Sequence, residues 1–188
     1  MDRLSVPLAS ITENGVTVDE MVSTDELRPE GALELPAPTV RLRGTLQRIG
    51  GEYLFRGTVA GTFVHPCDRC LAPAEVPFEV KVLWSFEPRP ADAVAEDARD
   101  AETQRDTLST YRFEGNEIDL APFVWEEASL AAPVKYLCRE DCAGLCPQCG
   151  ANLNEGPCAC PSEQSMENKG FAGLDRLLAQ FERKPPEE

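Results

Sequence analysis

Histidine is almost absent from this sequence: His65 is the only one in 188 residues. That leaves little room for a Ser-His or Cys-His catalytic pair. Positive charge is also scarce, with 18 Lys and Arg against 33 Asp and Glu and a formal net charge of −15. Such a field repels nucleic acid at long range and attracts basic partners. No apolar run is long enough to span a bilayer. The opening stretch, MDRLSVPLASITENG, lacks the charged start and long apolar core of a signal peptide. The expectation is a cytoplasmic protein, away from membranes, whose thiols are kept reduced. A phosphate-binding loop is missing too, since IGGEY reads as a turn between strands. Glu126 and Glu127 are neighbours on an expected helix, share no face, and read as solvated charges. Together these absences point away from an enzyme.

What the chain has in excess is cysteine. There are eight, five of them in the stretch CAGLCPQCGANLNEGPCAC at 142–160. Disulfides, a redox centre and a metal are the three candidate readings. In a reducing compartment, metal leads, redox work follows, and disulfides come last. The cysteines form four pairs: Cys67/Cys70, Cys138/Cys142, Cys146/Cys149 and Cys158/Cys160. A pair with one to three intervening residues can present both sulfurs to one ion from a single turn. Structural zinc takes four such ligands in a closed tetrahedron. Four pairs therefore suggest two all-cysteine sites, hence two zinc ions. Iron in a rubredoxin-like site fits the same knuckle.

Loop length bears on which pairs share an ion. Eight residues separate Cys149 from Cys158, and 67 separate Cys70 from Cys138. Closing the longer loop costs about 2 kcal/mol more. Cys67/Cys70 needs a distant partner in any two-site scheme, whereas the late pairs can close locally. The favoured grouping is Cys67, Cys70, Cys138 and Cys142 as one site and Cys146, Cys149, Cys158 and Cys160 as the other. The alternatives exchange which downstream pair meets Cys67/Cys70. His65, two residues before Cys67, reads as a surface residue at a strand end.

The rest of the pattern is α+β, an antiparallel β-sheet module followed by C-terminal helices and a cysteine-rich, zinc-ribbon-like segment. In TVRLRGTLQRI the even positions Val40, Leu42 and Leu46 are apolar; in EYLFRGTVAGTFV the odd positions Tyr53, Phe55, Val59 and Phe63 are. A two-residue turn at Gly50-Gly51 pairs residues whose numbers sum to 101 and puts both apolar sets on one face. A third strand runs through Val76, Phe78, Val80, Val82, Trp84 and Phe86. A weaker one is expected near Leu4–Leu8, and YRFEGNEIDL can supply another. The expected organisation is a β module over 1–87 carrying the first Cys pair, an acidic flexible linker over 88–110, and a segment over 111–188. That last segment holds a helix near 120–132 capped by Asp119, the cysteine-rich loop, and a final helix with Phe171, Leu174, Leu178 and Phe181 on one stripe. Phe123, Val124, Ala128 and Leu130 are expected to form the apolar side of the first helix.

The sheet region is the least acidic part. Residues 38–87 hold six basic and five acidic side chains, against six and nine over 133–188. Arg41, Arg43 and Arg56 share the outer face by the hairpin register. Arg69, Lys135, Tyr136 and Arg139 would gather near the first cysteine site, with Tyr136 able to stack on a base. These seven are the candidate RNA or partner contacts; a solvated arginine face is the plain alternative.

With both cysteine regions in view, the chain resembles the YceD family. The resemblance rests on CDRCLAPAEVPFEV at 67–80, IDLAPFVWEEASLAAPVKYLC at 118–138, and CAGLCPQCGANLN with CAC at 142–160. It covers roughly the last two-thirds of the chain. It departs where NKGFAGLDRL stands in place of an Asp-Pro-Arg-like run before the final helix. The resemblance implies a role in accumulation of large-subunit (23S) ribosomal RNA and ribosome assembly, with a ribosomal protein, a pre-ribosomal particle or rRNA as partner. The leading expectation is a non-enzymatic zinc-binding factor of that kind. A thiol redox switch that releases zinc, and a zinc-stapled scaffold unrelated to RNA, are the alternatives.

Overall fold

The computed structural model describes residues 3–89 and 110–160. Two short elements open the fold, strand β1 (Ser5–Pro7) and a single 3-10 turn (Leu8–Ser10). Four longer strands and a helical turn follow: β2 (Val16–Ser23), α1 (Thr24–Leu27), β3 (Thr39–Ile49), β4 (Glu52–Pro66) and β5 (Pro73–Pro88). Beyond residues 90–109 come β6 (Thr110–Phe113), β7 (Glu117–Asp119) and helix α2 (Ala121–Leu130). Five strands form one sheet in the order β2-β3-β4-β5-β6, and β1 pairs with β7 in a second, two-stranded sheet.

The β3–β4 hairpin takes the register that the Gly-Gly turn dictates. Leu46 faces Phe55 and Leu42 faces Val59, and Gly50 supplies the positive φ of 66° that the tight turn needs. Leu42, Leu46, Phe55 and Val59 are all fully buried. The Phe55 ring stacks on Trp84 with centroids 5.1 Å apart. It also lies against the facing glycines Gly44 and Gly57. A Cβ added at either would come within 2.6 or 2.8 Å of that ring, and closer still to backbone oxygen. Glycine is required there because the aromatic ring occupies the space a side chain would need.

Helix α2 covers this core with Val124 and Ala128, one turn apart and buried. Phe123 reaches Trp84, Phe86 and Tyr111. The Asp119 carboxylate accepts from the Ala121 amide at 2.9 Å, and Pro122 sits in the first turn, where its missing N–H costs nothing. Leu130 does not join the apolar side; it is 74% exposed. Six residues past Val124, at about 100° per residue, it falls well off the buried stripe.

Two further features correct the sequence reading. Strand β2 was not anticipated. Val16, Val18 and Val22 alternate, but Glu20 breaks the pattern at an inward-phase position. The sheet is mixed rather than purely antiparallel, because β6 runs parallel to β5 from Ser85↔Thr110 to Pro88↔Phe113. A parallel neighbour needs a long return connection, and residues 90–109 provide one. The chain divides into two compact units, Met1–Gly144, which includes β6, β7 and α2, and Leu145–Glu188. The expected final helix over 171–181 and most of the acidic linker lie outside the described residues. Among those described, no helix is long and apolar enough to cross a membrane.

Candidate metal centres and the cationic sheet face

Strands β4 and β5 are joined at their far end by six residues, 67–72, that form the first cysteine knuckle. The Leu71 amide donates to the Cys67 carbonyl (2.9 Å), and the Cys67 amide donates to the Ala72 carbonyl (2.8 Å). The chain beyond α2 docks against this tip. The Asp68 amide donates to the Tyr136 carbonyl at 2.8 Å, and the Tyr136 amide donates back to the Asp68 carboxylate at 2.7 Å. Arg69 donates to the Cys142 carbonyl at 2.8 Å. Tyr136 packs its ring on His65 (4.6 Å) and Phe63 (5.9 Å).

These contacts bring Cys67, Cys70, Cys138 and Cys142 together, with all four sulfurs within 4.8 Å of one another. Cys67 and Cys142 sulfurs are 3.8 Å apart and those of Cys70 and Cys138 are 3.6 Å apart. A disulfide would need about 2.05 Å. A tetrahedron with metal–sulfur bonds of about 2.3 Å has edges of about 3.8 Å. The cluster therefore has the span of a tetrathiolate metal site, and all eight cysteines are free thiols. Cys67, Cys70 and Cys142 are buried while Cys138 is exposed.

The second unit repeats the local chemistry. The Gly150 amide donates to the Cys146 carbonyl and the Cys146 amide to the Ala151 carbonyl, both at 2.8 Å. A single antiparallel bridge, Leu145↔Asn152, closes the turn. Cys146, Cys149, Cys158 and Cys160 form a four-sulfur group meeting the same 4.8 Å limit. One bridge is the only regular pairing among the described residues of this unit, so the ribbon-like character expected from the sequence reduces to a knuckle. His65 belongs to neither group.

The two knuckles differ in the residue that follows their second cysteine. Gly150 carries a φ of 73° after Cys149, and Leu71 carries 61° after Cys70. A leucine in the left-handed region costs roughly 1–2 kcal/mol. Leu71 is 67% exposed, so little packing offsets that strain. Leu71→Gly is expected to raise the unfolding free energy by about 0.5–1 kcal/mol, the strain relief less the extra chain entropy of glycine. Denaturant unfolding with metal present reads this directly, and a loss of stability would contradict the strain assignment.

The thiols are strongly differentiated. Burial alone would raise Cys67, but backbone amides of Cys138, Arg69 and Cys70 outweigh it and bring the thiol down to about 6. The amides of Cys149 and Gln148 do the same for Cys146, also to about 6. Burial and the neighbouring sulfurs push Cys138 up to about 12. Cys149, then burial, push Cys160 to about 12. A metal entering at neutral pH must therefore displace protons from Cys138 and Cys160. Lowered thiols stabilise the metal-free fold fully above 9.0, and that contribution is lost as pH falls through about 6. Acidification from about pH 7 to about pH 5 is expected to strip metal from both sites, since thiolates are the ligands. A chromogenic chelator checks this; unchanged occupancy at pH 5 would refute it.

The seven basic and aromatic candidates separate into distinct roles. Arg41 is held bidentately by Asp19, Nε to Oδ1 at 2.7 Å and Nη2 to Oδ2 at 2.9 Å. That hydrogen bond keeps the Asp19 carboxyl below its ordinary value. Arg43 is 4.0 Å from the same carboxylate. Arg56 makes no ion pair among the described residues. Arg69 donates to the Glu140 and Cys142 carbonyls across the knuckle, and the Tyr136 ring packs on His65 and Phe63. Arg139 pairs with Asp141 at 3.3 Å, and Lys135 is exposed. Two participants were missed: Asp68, which exchanges two hydrogen bonds with Tyr136, and Lys81, on the outer face beside Thr58. The period-two alternation of β5, with Val80 and Val82 turned inward, was the signal for Lys81.

A β-sheet whose hairpin tip carries half of a four-thiol cluster, with a second such cluster in a separate unit, defines a protein with two candidate metal centres. The chain belongs to the family described as "Large ribosomal RNA subunit accumulation protein YceD", which matches residues 55–178. It is 36% identical over 112 residues to an uncharacterized protein of Mycobacterium tuberculosis, covering 60% of this chain and 50% of that one. It is 34% identical over 71 residues to the "Large ribosomal RNA subunit accumulation protein YCED homolog 1, chloroplastic" of Arabidopsis thaliana, covering 38% of this chain and 22% of that one. Its likeness to the uncharacterized protein YlbN of Bacillus subtilis is 26% over 166 residues, covering 86% and 87% of the two chains. The match spans about half the length of the mycobacterial relatives. No solved structure matches the chain.

Proposed function

We propose that this protein is a non-enzymatic, metal-ordered factor of the cytoplasm that supports accumulation of large-subunit ribosomal RNA. In this reading it binds a ribosomal protein or a precursor ribonucleoprotein. Two zinc ions are the proposed cofactors, one held by Cys67, Cys70, Cys138 and Cys142 and one by Cys146, Cys149, Cys158 and Cys160. The observation that carries the reading is the first cluster. Two of its sulfur pairs lie 3.6 and 3.8 Å apart across a junction between the β4–β5 tip and the chain beyond α2, and all four sulfurs lie within 4.8 Å of one another. All-cysteine sites are closed, which suits a structural ion rather than a catalytic one. The family's description supplies the link to ribosomal RNA. Depletion in cells followed by measurement of precursor and mature 23S rRNA, together with recovery of the tagged protein and its bound proteins and RNA, tests it. Unchanged rRNA levels and a recovered set free of ribosomal components would refute it.

A thiol switch is the second reading, favoured by the lowering of Cys67 and Cys146 to about 6, since thiolates are the species that oxidise. It expects zinc release on mild peroxide treatment. Retention of zinc through that treatment would remove it.

A further inference from the structure

The outer face of the five-stranded sheet carries a shallow depression of about 560 Å³ lined by Arg43, Arg56, Thr58, Lys81 and Leu83, with the backbones of Gly44 and Gly57. The register explains why these groups meet. Arg43 lies directly across from Thr58, and Thr58 directly across from Lys81. Arg56 stands in the next outward row, between Thr45 and Leu83. Directly opposed side chains on one sheet face sit about 4.5–5.5 Å apart at Cβ, and diagonal ones about 7–8 Å. Three cations therefore surround one small threonine.

Charge pairing makes the spot unusual in a chain of net charge −15. Arg41, the next outward arginine on β3, is neutralised by Asp19 at 2.7 and 2.9 Å. Arg43 touches Asp19 only at the 4.0 Å limit. Arg56 and Lys81 have no carboxylate within ion-pair distance among the described residues. Glu79, next in phase along β5, does not line the depression. Arg56 and Lys81 are thus uncompensated and open to solvent, Arg43 is paired only loosely through Asp19, and the three are spread over a face as wide as three strands.

We propose that this depression is a binding site for the phosphate backbone of RNA, with Arg43, Arg56 and Lys81 as the phosphate contacts and Arg41 excluded from them by Asp19. It rests on the ribosomal reading above only for the choice of RNA among polyanions. The site positions the backbone and reads no sequence, because no element here enters a groove. The overall negative field limits long-range attraction, so binding depends on close contact and is sensitive to salt.

The test uses the full metal-loaded chain and a fluorescein-labelled, unstructured single-stranded RNA of about 20 nucleotides, followed by anisotropy over a series of salt concentrations. Three phosphate contacts predict a slope of log K against log salt near −2, at about −0.7 per contact. The double variant Arg56→Glu/Lys81→Glu is expected to weaken binding by at least about tenfold and flatten the slope. The milder pair Arg56→Gln/Lys81→Gln guards against misfolding and should lose about two-thirds of the slope, with unchanged metal content. Arg41→Ala is expected to change affinity by less than about twofold. Asp19→Asn, which frees Arg41 and Arg43, should tighten binding and steepen the slope by about 0.7. Binding indifferent to residues 56 and 81, or an Arg41→Ala loss as large as theirs, overturns the proposal, as does binding of inorganic polyphosphate alone without RNA. If the double variant loses RNA binding yet depletion leaves 23S rRNA unchanged, the face stands and the ribosomal role fails. If the variant restores rRNA fully in depleted cells and still binds RNA, the face fails and the role stands.

Discussion

Cys70→Ser is expected to cost the protein one of the two metal equivalents proposed for it and about 8–16 °C of thermal stability. The magnitude follows from chain entropy. A cross-link spanning the 67 residues between Cys70 and Cys138 removes about 4 kcal/mol of freedom from the unfolded chain. In a domain of this size 1 kcal/mol corresponds to about 2–4 °C. Cys67, Cys70 and Cys142 are buried, so water does not replace the missing ligand freely. Cys149→Ser is the matched control. It opens a loop of only eight residues, worth about 2.6 kcal/mol by the same relation, and lies in the other compact unit. It should remove one metal equivalent while leaving the main sheet transition in place. Elemental analysis with calorimetry separates the two variants. Equal effects on the sheet transition, or full metal content in either, would contradict the assignment of the first cluster as the clamp between β4–β5 and the segment beyond α2.

Phe55→Ala is expected to destabilise the sheet by about 3–5 kcal/mol, the range for losing a fully buried aromatic ring and leaving its cavity. Phe55 is 0% exposed. It stacks on Trp84 and fills the space that Gly44 and Gly57 leave open. The cavity would be bordered by two residues that have no side chain with which to collapse into it, which places the effect toward the upper end. Metal content should remain unchanged at both sites, because Phe55 lies near the Gly50-Gly51 end of β4, away from the knuckle at 67–72 that follows its other end. Urea unfolding with parallel metal analysis measures both; a change below about 1 kcal/mol would show that the sheet repacks readily there.

The parts of this fold that were legible in the sequence have short-range rules behind them. Gly50-Gly51 set the β3–β4 register because a two-residue turn allows only one pairing that keeps Leu42, Leu46, Phe55 and Val59 on one face. The knuckles were legible from spacing alone. The roles of the arginines were not, because they depend on a strand that was overlooked. Asp19 lies on β2 directly across from Arg43, and without β2 nothing distinguishes Arg41 from Arg43. The bracing role of Arg69 was not legible for a related reason. Its place in CDRC put it near the first cysteine site, but the hydrogen bond to the Cys142 carbonyl that makes it a brace is a tertiary event across more than seventy residues. The parallel placement of β6 likewise depends on where a long connection returns, which periodicity does not encode.

The first cluster also sets an order of events during synthesis. A nascent chain leaving the ribosome has finished its β3–β4–β5 meander well before residues 138 and 142 emerge. The meander must therefore hold on Phe55, Trp84 and their neighbours, with Cys67 and Cys70 waiting at its tip. Capture of the proposed ion would be the last act for that unit, and a cell short of it would accumulate molecules with a finished sheet and an unfastened strap.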